Sequence, residues 1–180
     1  TAGACARISN VVPSAIVSCG DRAMNVHIAH GYPRALFRVV PNGIDVGEYA
    51  PTNNHRAALL DSLGIPEDSF VIGHAARFHP QKDHRSLLTG FSKAFSEEPR
   101  AHLICCGTDV TWSNPEISSY PVPECTRKRI HLLGPRSDMP KIFPSLDLFA
   151  LPSAFGEAFP CVLVEAMACG TPCLVTDVGD

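Results

Sequence analysis

Two carboxylates, Glu157 and Glu165, stand eight positions apart in the segment SAFGEAFPCVLVEAMACG, which covers residues 153–170. The pattern predicts a loop that holds Glu157, followed by a helix that holds Glu165. Acids near a helix start stabilise it by about 0.3–1 kcal/mol, because the helix dipole is positive there. The same amide groups can instead bind a phosphate, with the two acids holding sugar hydroxyls on either side of it. Spacing alone leaves both interpretations open.

A second segment whose residue types could bind a charged ligand is RFHPQKDH, which runs from Arg77 to His84. It follows a predicted buried strand and leads into a helix, so Arg77 and Lys82 are predicted to lie at the carboxyl edge of a sheet. Two cations there can neutralise a diphosphate, because Arg offers a forked contact and Lys a point charge. Solvated cations in a surface loop are the alternative interpretation. His79 and His84 are candidates for further cationic partners.

The elements that must position these residues are short apolar strands in alternation with helices. The predicted strands cover residues 15–19, 37–40, 70–76, 102–106, 129–133, 146–151 and 172–176. The predicted helices cover residues 21–30, 55–63, 81–96, 137–145 and 160–169, and residues 108–123 are predicted to be a loop with at most a short helix. Strands that are apolar on both faces and alternate with helices predict a parallel sheet wrapped by helices, a doubly wound, Rossmann-like α/β fold.

The regular alternation begins only after residue 40. We therefore predict that residues 1–40 are the remnant of a preceding domain with a linker. Residues 41–180 are predicted to form the Rossmann-like domain, without its last C-terminal elements. Because the chain begins with Thr1 and not with Met, we expect a fragment of a longer protein.

Composition narrows the class of function further. With 45% hydrophobic and 18% charged residues, the chain has the composition of a soluble globular protein. A formal net charge of −3 gives no reason to expect nucleic-acid binding. No apolar run approaches the roughly 20 residues that a membrane-spanning helix needs. The eight cysteines contain no C-x2-C pair, so we expect neither zinc nor disulfides and a reducing cytoplasmic compartment.

Four segments together resemble the signature of the retaining glycosyltransferase family 4. They are VPNGID at residues 40–45, ARFHPQKDH at residues 76–84, HLLGPRSDMP at residues 131–140 and FALPSAFGEAFPCVLVEAMACGTPCLVTD at residues 149–177. They occur in that family's order and at its intervals, and Glu157 and Glu165 supply its E-x7-E element. Ala158 stands where the family usually has glycine. The combination is specific, although each segment alone is weak.

The resemblance implies a two-domain GT-B fold, of which this chain would be the C-terminal half that binds the nucleotide-sugar donor. It implies that Arg77 and Lys82 grip the donor diphosphate, that Glu157 bonds the transferred sugar, and that Glu165 bonds the ribose. Glu157, Arg77 and Lys82 would be the catalytic residues. The backbone that approaches the phosphate and sugar would be that of Phe159, Pro160, Cys161, Val162 and Leu163. The turn that borders the base would be that of Gly134 and Arg136.

The implied reaction transfers a hexose from a nucleotide-diphosphate sugar to an acceptor glycan or lipid-linked sugar, with retention of anomeric configuration. The leaving phosphate would take the acceptor's proton, and no metal and no cofactor besides the donor substrate would be needed. Such a protein would serve polysaccharide or glycolipid biosynthesis. It would work in the cytoplasm, at the inner face of the cell membrane, with peripheral membrane contact through the missing domain and no nucleic-acid partner. The fragment itself is expected to bind donor at best and to be inactive.

Two other functions remain open at this stage. A GT-B-fold sugar-nucleotide epimerase would also bind a nucleoside diphosphate, but the E-x7-E and RFHPQKDH segments match the transferase pattern better. A non-catalytic nucleotide-sugar-binding fragment is the other alternative. A dehydrogenase is disfavoured, because no G-x-G-x-x-G follows any predicted strand.

Overall fold

The computed structural model describes residues 2–180, and for Ala2 the backbone alone. Thr1, on which the expectation of a fragment rests, lies outside the described residues. The chain divides into two units. The first contains the residues up to Gly43 together with Phe155–Cys161 and Asp177–Asp180. The second contains Ile44–Ala154 and Val162–Thr176.

The first unit is built mainly from the N-terminal part of the chain. Its elements are α1 (Ala2–Ser9), β1 (Ile16–Ser18), α2 (Asp21–Ala29) and β2 (Phe37–Val39). The strands β1 and β2 pair in parallel, with Ile16 opposite Phe37. The two strands and α2 confirm the prediction from sequence, whereas α1 was not predicted.

The second unit is a five-stranded parallel sheet with helices between its strands. The strands are β3 (Phe70–Ala75), β4 (Ala101–Cys106), β5 (Ile130–Leu132), β6 (Leu148–Leu151) and β7 (Cys173–Val175), in the order β5-β4-β3-β6-β7. The helices are α3 (Arg56–Ser62), α4 (His84–Ala94), α5 (Pro115–Ser118), α6 (Glu124–Arg127), α7 (Met139–Ile142) and α8 (Cys161–Ala168), of which the first residue, Cys161, is counted with the first unit. Four strand pairs in parallel register confirm the predicted doubly wound, Rossmann-like sheet.

Two apolar cores lie on opposite faces of this sheet. Successive residues of β4 alternate between them: Ile104 belongs to one, whereas Leu103 and Cys105 belong to the other. The first core contains buried residues of α3, α7 and α8, and the second those of α4 and α5. Because both faces are covered, the strands are nearly continuous apolar runs, and these runs made them recognisable in the sequence.

A glycine in the central strand allows one close contact in the first core. A Cβ atom at Gly73 would lie 2.9 Å from a methyl carbon of Leu146 and would displace it. The missing side chain therefore lets the Leu146 side chain pack directly on the backbone of β3.

The start of α4 and the presence of α6 differ from the prediction. The helix expected from residue 81 begins at His84, because Pro80–Lys82 forms a separate 3-10 turn. Asp83 lies between the two elements with a left-handed φ of 45°, and its carboxylate caps α4 by accepting from the Ser86 amide at 3.1 Å. The short helix α6, directly before β5, was not predicted because four residues carry too little periodicity.

Candidate functional site

The sheet has a topological switch point between β3 and β6. From β3 the chain continues to β4 on one side, whereas β6 pairs with β3 on the other side. Ligands of doubly wound folds bind outside the carboxyl ends of strands at such a point. Arg77 comes two residues after the end of β3, and Pro152 directly follows β6. The segment RFHPQKDH therefore lies where the topology predicts a ligand.

Backbone hydrogen bonds join the loops at this edge of the second unit. The Ala154 amide, after β6, donates to the Gln81 carbonyl at 2.8 Å. The Phe78 amide, after β3, donates to the Thr108 carbonyl, after β4, also at 2.8 Å. The loop that carries Arg77 and Lys82 is thus held from both sides by its neighbours.

A glycine extends this arrangement to β5. The Gly107 amide donates to the Gly134 carbonyl at 2.7 Å. Gly107 has a φ of 152°, and a Cβ there would lie 2.5 Å from the carbonyl carbon of Ala76. Only glycine lets these three loops approach so closely, so the edge is fixed by backbone geometry.

Within the segment RFHPQKDH, the cations and the histidines have different surroundings. Arg77 is exposed and Lys82 is half-buried in the 3-10 turn. The His79 ring nitrogen accepts from the Gln81 amide at 3.2 Å and caps that turn. This contact gives His79 a structural role in the loop.

His84 does not fit the hypothesis of a cationic partner. Its ring is buried against that of His74, at 4.8 Å between centroids and nearly perpendicular. Burial lowers the pKa of His84 to about 4, so the ring is uncharged at neutral pH. Burial likewise lowers the pKa of His74 to about 3, and the His74 Nδ1 lies 2.9 Å from the Ala150 carbonyl oxygen. The pair belongs to the interior beneath the loop.

The turn after β5 carries Gly134 and Arg136. Gly134 is buried with a φ of 68°, which favours glycine. The Arg136 guanidinium makes a two-point ion pair with Asp138, at 2.8 Å from Nε and 2.6 Å from Nη2. These hydrogen bonds lower the pKa of the Asp138 carboxyl. The ion pair holds the Arg136 side chain in one orientation. The contact of Gly134 and Arg136 with the nucleotide base stays a prediction.

Glu165 lies in α8 and is half-buried. Burial raises the pKa of its carboxyl, and the negative charge of Glu48 raises it further. Burial also raises the pKa of Tyr49, with Glu165 as the next cause. The sequence analysis missed Glu48 and Tyr49. The available signal was their position three and four residues after Asp45, the last residue of VPNGID. The Tyr49 amide donates to the Asp45 carbonyl at 2.9 Å in a single turn.

The start of α8 contributes backbone and apolar side chains. The side chains of Val162 and Leu163 pack against the core that contains Ala166. Their amide groups lie in the first turn of α8, where the helix leaves amides without an intrahelical acceptor. The predicted contact of these amides with a donor stays a prediction.

Four predicted residues belong to the first unit: Glu157, Phe159, Pro160 and Cys161, all of them half-buried. Gly156, directly before Glu157, has a φ of 70°. Ala158 is not among the residues with positive φ, so alanine fits at the position where the resembled family usually has glycine.

Asn42 is a further residue that the sequence analysis did not single out. Its side-chain amide nitrogen donates to the Cys161 Sγ at 3.4 Å. The VPNGID segment therefore contacts the residue at which α8 begins.

Within residues 2–180, no group of three or more His, Cys, Asp or Glu side chains is placed to hold a metal ion. In the same part of the chain, no helix is both long enough and apolar enough to cross a bilayer.

The sequence profile of the family described as Glycosyl transferases group 1 matches residues 69–180. Among curated proteins, an Escherichia coli UDP-Gal:alpha-D-GlcNAc-diphosphoundecaprenol alpha-1,3-galactosyltransferase is 32% identical over 142 residues, which are 78% of this chain and 36% of that protein. A Mycobacterium tuberculosis (strain ATCC 25177 / H37Ra) D-inositol 3-phosphate glycosyltransferase is 31% identical over 175 residues, which are 91% of this chain and 34% of that protein.

Among solved structures, Anabaena HepE in complex with UDP-glucose superimposes with a TM-score of 0.85 at 25% identity. The match covers 99% of this chain and 49% of HepE. The chain therefore spans about a third of these two curated relatives and about half of this structural neighbour.

Proposed function

This chain belongs to the Glycosyl transferases group 1 family, and from that premise we propose that it binds a nucleotide-diphosphate sugar that the whole protein uses as a glycosyl donor. The observation that carries the proposal is the pair of cations, Arg77 and Lys82, in the loop at the switch point of the sheet. That loop is held to the Ala154 amide and to the Thr108 carbonyl. A fixed loop with two cations suits a diphosphate better than two mobile surface side chains would.

The chemistry at the diphosphate follows from charge. As the bond between sugar and phosphate breaks, negative charge builds up on the leaving nucleoside diphosphate. Arg77 and Lys82 would stabilise that charge from fixed positions, together with the amide groups of Cys161, Val162 and Leu163 at the start of α8. Positioning and electrostatics then supply the catalysis, with the leaving phosphate taking the acceptor's proton.

The sugar and the nucleoside are assigned to other residues. Glu157 would accept hydrogen bonds from hydroxyls of the transferred sugar, and Glu165 from the ribose hydroxyls. The raised pKa of Glu165 does not oppose this role, because ribose hydroxyls donate to the ionised form and would offset the burial. The backbone of Phe159 and Pro160 would approach the sugar, whereas Gly134 and Arg136 would border the base.

We further propose UDP-glucose as the first donor to test, because HepE, the structural neighbour, was crystallised with it. For the whole protein we propose retention of configuration, hexosyl transfer without metal or cofactor, and an acceptor that is a glycan or lipid-linked sugar. Polysaccharide or glycolipid biosynthesis at the inner face of the cell membrane, with peripheral membrane contact, completes the proposal. Residues 1–40 are assigned to the acceptor domain on the same basis.

Calorimetry on the 180-residue chain tests donor binding directly. UDP-glucose, UDP and glucose would be titrated separately, with GDP-glucose and ADP-glucose as matched donors that differ in the base. We expect UDP-glucose to bind more tightly than UDP, and glucose alone to give no heat. If no nucleotide sugar binds at any protein concentration that stays soluble, the proposal is wrong. For the whole protein, incubation of the donor without acceptor separates the alternatives, since an epimerase would convert the sugar and a transferase would not.

A further inference from the structure

The N-terminus of α2 is capped by a residue from the other end of the chain. Gly20, the N-cap residue, contributes no side-chain hydrogen bond. The Asp180 carboxylate accepts instead from the Arg22 amide, at 2.9 Å to Oδ1 and 2.8 Å to Oδ2, and from the Ala23 amide at 3.3 Å. A carboxylate at this position satisfies amides that the helix leaves unpaired and suits the positive end of its dipole.

The absence of a side chain at Gly20 makes room for this contact. A Cβ at Gly20 would lie 2.6 Å from the Asp180 Cγ, well inside contact distance. The backbone at Gly20 is extended, with a φ of −165°, so alanine would fit there without strain. An added methyl group would therefore displace the flexible Asp180 side chain while the backbone stays in place.

A second contact reaches the same C-terminal segment. The Arg22 Nη2 lies 2.9 Å from the Asp177 Oδ1. The Asp177 side chain is 89% exposed and that of Arg22 is 51% exposed, so this ion pair contributes little stability. Asp180 is therefore the main link between α2 and the segment Asp177–Asp180.

The linked segment lies against the backbone of Glu157. A Cβ at Gly179 would lie 2.5 Å from the Glu157 Cβ and 2.7 Å from its carbonyl carbon. Gly179 is therefore in direct contact with the residue that we assign to the sugar, at a place where no larger residue fits. Gly20, Asp180, Gly179 and Glu157 form a continuous series of contacts, which we call the Asp180 latch.

We propose that Asp180 is a positioning residue that, through the Asp180 latch, fixes the Phe155–Cys161 segment so that Glu157 can contact the donor sugar. The inference deepens the proposed function and rests on its assignment of Glu157. Asp180 does not touch the substrate. Its effect is on the sugar part of the donor, while Arg77 and Lys82 account for the diphosphate.

The test uses the 180-residue chain and compares UDP-glucose with UDP by calorimetry. Gly20→Ala displaces the Asp180 carboxylate without removing it, Asp180→Ala removes it, and Asp180→Asn keeps one oxygen acceptor. The matched control is Gly3→Ala, because a Cβ at Gly3 meets no heavy atom within 4 Å. Hydrogen–deuterium exchange of residues 155–161 reports on the segment itself without any ligand.

We expect Gly20→Ala and Asp180→Ala to weaken UDP-glucose binding by about 10-fold, the effect of one lost hydrogen bond, and to leave UDP binding unchanged. Exchange in residues 155–161 should become faster in both variants, with Asp180→Asn intermediate and Gly3→Ala equal to wild type. A general loss of folding would weaken the binding of UDP-glucose and of UDP alike. A loss of affinity for UDP-glucose alone therefore identifies a positioning role.

Two results would overturn the proposal. One is unchanged exchange in residues 155–161 in both Gly20→Ala and Asp180→Ala. The other is faster exchange with the preference for UDP-glucose over UDP intact. Failure of the proposed function is distinguishable, because the wild-type chain would then bind no nucleotide sugar, or Glu157→Ala would not change the preference.

Discussion

At the residue scale, the difference between Lys82 and His84 shows how surroundings decide a charged role. Both were candidates for cations beside a diphosphate, and they are two residues apart. Lys82 is half-buried in the turn before α4, whereas His84 is buried in the interior with a pKa of about 4. Burial leaves the His84 ring uncharged at neutral pH, so His84 cannot act as a cation beside a phosphate.

The first prediction concerns Lys82. Lys82→Ala should weaken UDP binding by about 10- to 100-fold, since a hydrogen bond to a charged group is worth about 1.5–3 kcal/mol. Titration calorimetry with UDP measures the change in affinity. Lys93→Ala is the matched control, because Lys93 is exposed in the last turn of α4. Equal affinity of Lys82→Ala and Lys93→Ala for UDP would show that Lys82 does not contact the diphosphate.

The second prediction concerns Glu157. Glu157→Ala should weaken UDP-glucose binding more than UDP binding, because the carboxylate is assigned to sugar hydroxyls that UDP lacks. Glu157→Gln, which keeps one carbonyl acceptor, should lose less. Both ligands are measured in the same calorimetric series. Equal losses for UDP-glucose and UDP would show that the sugar assignment is wrong.

At the scale of elements, a buried arginine, Arg129, connects a helix to two strands, and no sequence pattern indicates this role. Arg129 is 9% exposed, and its guanidinium donates to the carbonyls of Phe95, Glu98 and Ala101 at 2.7–2.8 Å. It thereby joins the end of α4 and the start of β4 to β5. The planar group reaches three carbonyls at once, and those of Phe95 and Glu98 also accept from the Glu98 and Ala101 amides.

The third prediction follows from that geometry. Arg129→Lys should lower the free energy of unfolding by about 2 kcal/mol, because a single ammonium group cannot reach all three carbonyls and loses at least one charge-assisted hydrogen bond. Urea unfolding followed by circular dichroism measures the change. Arg100→Lys, at an exposed position, should change the stability by less than about 0.5 kcal/mol. If the two variants were equally stable, the carbonyl contacts of Arg129 would contribute nothing.

At the scale of the whole molecule, the buried histidines couple folding to pH. The pKa values of His74 and His84 are lowered to about 3 and about 4, with burial as the largest cause for both. The unfolded chain therefore binds more protons than the folded chain between about pH 6.5 and pH 4. Stability is fully present above pH 6.5 and falls as the solution is acidified.

The fourth prediction gives this dependence a magnitude. Between pH 7 and pH 5 each of these histidines should reduce the free energy of unfolding by about 2 kcal/mol, the cost of keeping a group with an unfolded pKa of 6.5 neutral. Urea unfolding at both pH values gives the difference. His84→Gln should reduce the loss by about 2 kcal/mol relative to wild type. An identical loss in the variant would show that His84 is protonated in the folded state.

The sequence by itself determined the fold class and the positions of the strands. Strands covered on both faces are nearly continuous apolar runs, interrupted in β3, β4 and β5 only by His74, His102 and His131, and this local pattern survives in the sequence. It also placed Arg77 and Lys82 after a strand, and the sheet order then put that strand at the switch point. The short elements α1 and α6 and the later start of α4 were missed, because a few residues carry little periodicity and Asp83 takes a left-handed conformation.

Only the tertiary structure decided which side chains are buried and which distant residues meet. Burial lowers the pKa of His84, and its ring packs against that of His74, ten residues earlier in the chain. The capping of α2 by Asp180 joins residues 158 positions apart. Sequence patterns record local conformation and the side of an element that faces the core. Contacts between remote residues depend on the packing of the completed fold, and neither residue type nor spacing specifies that packing.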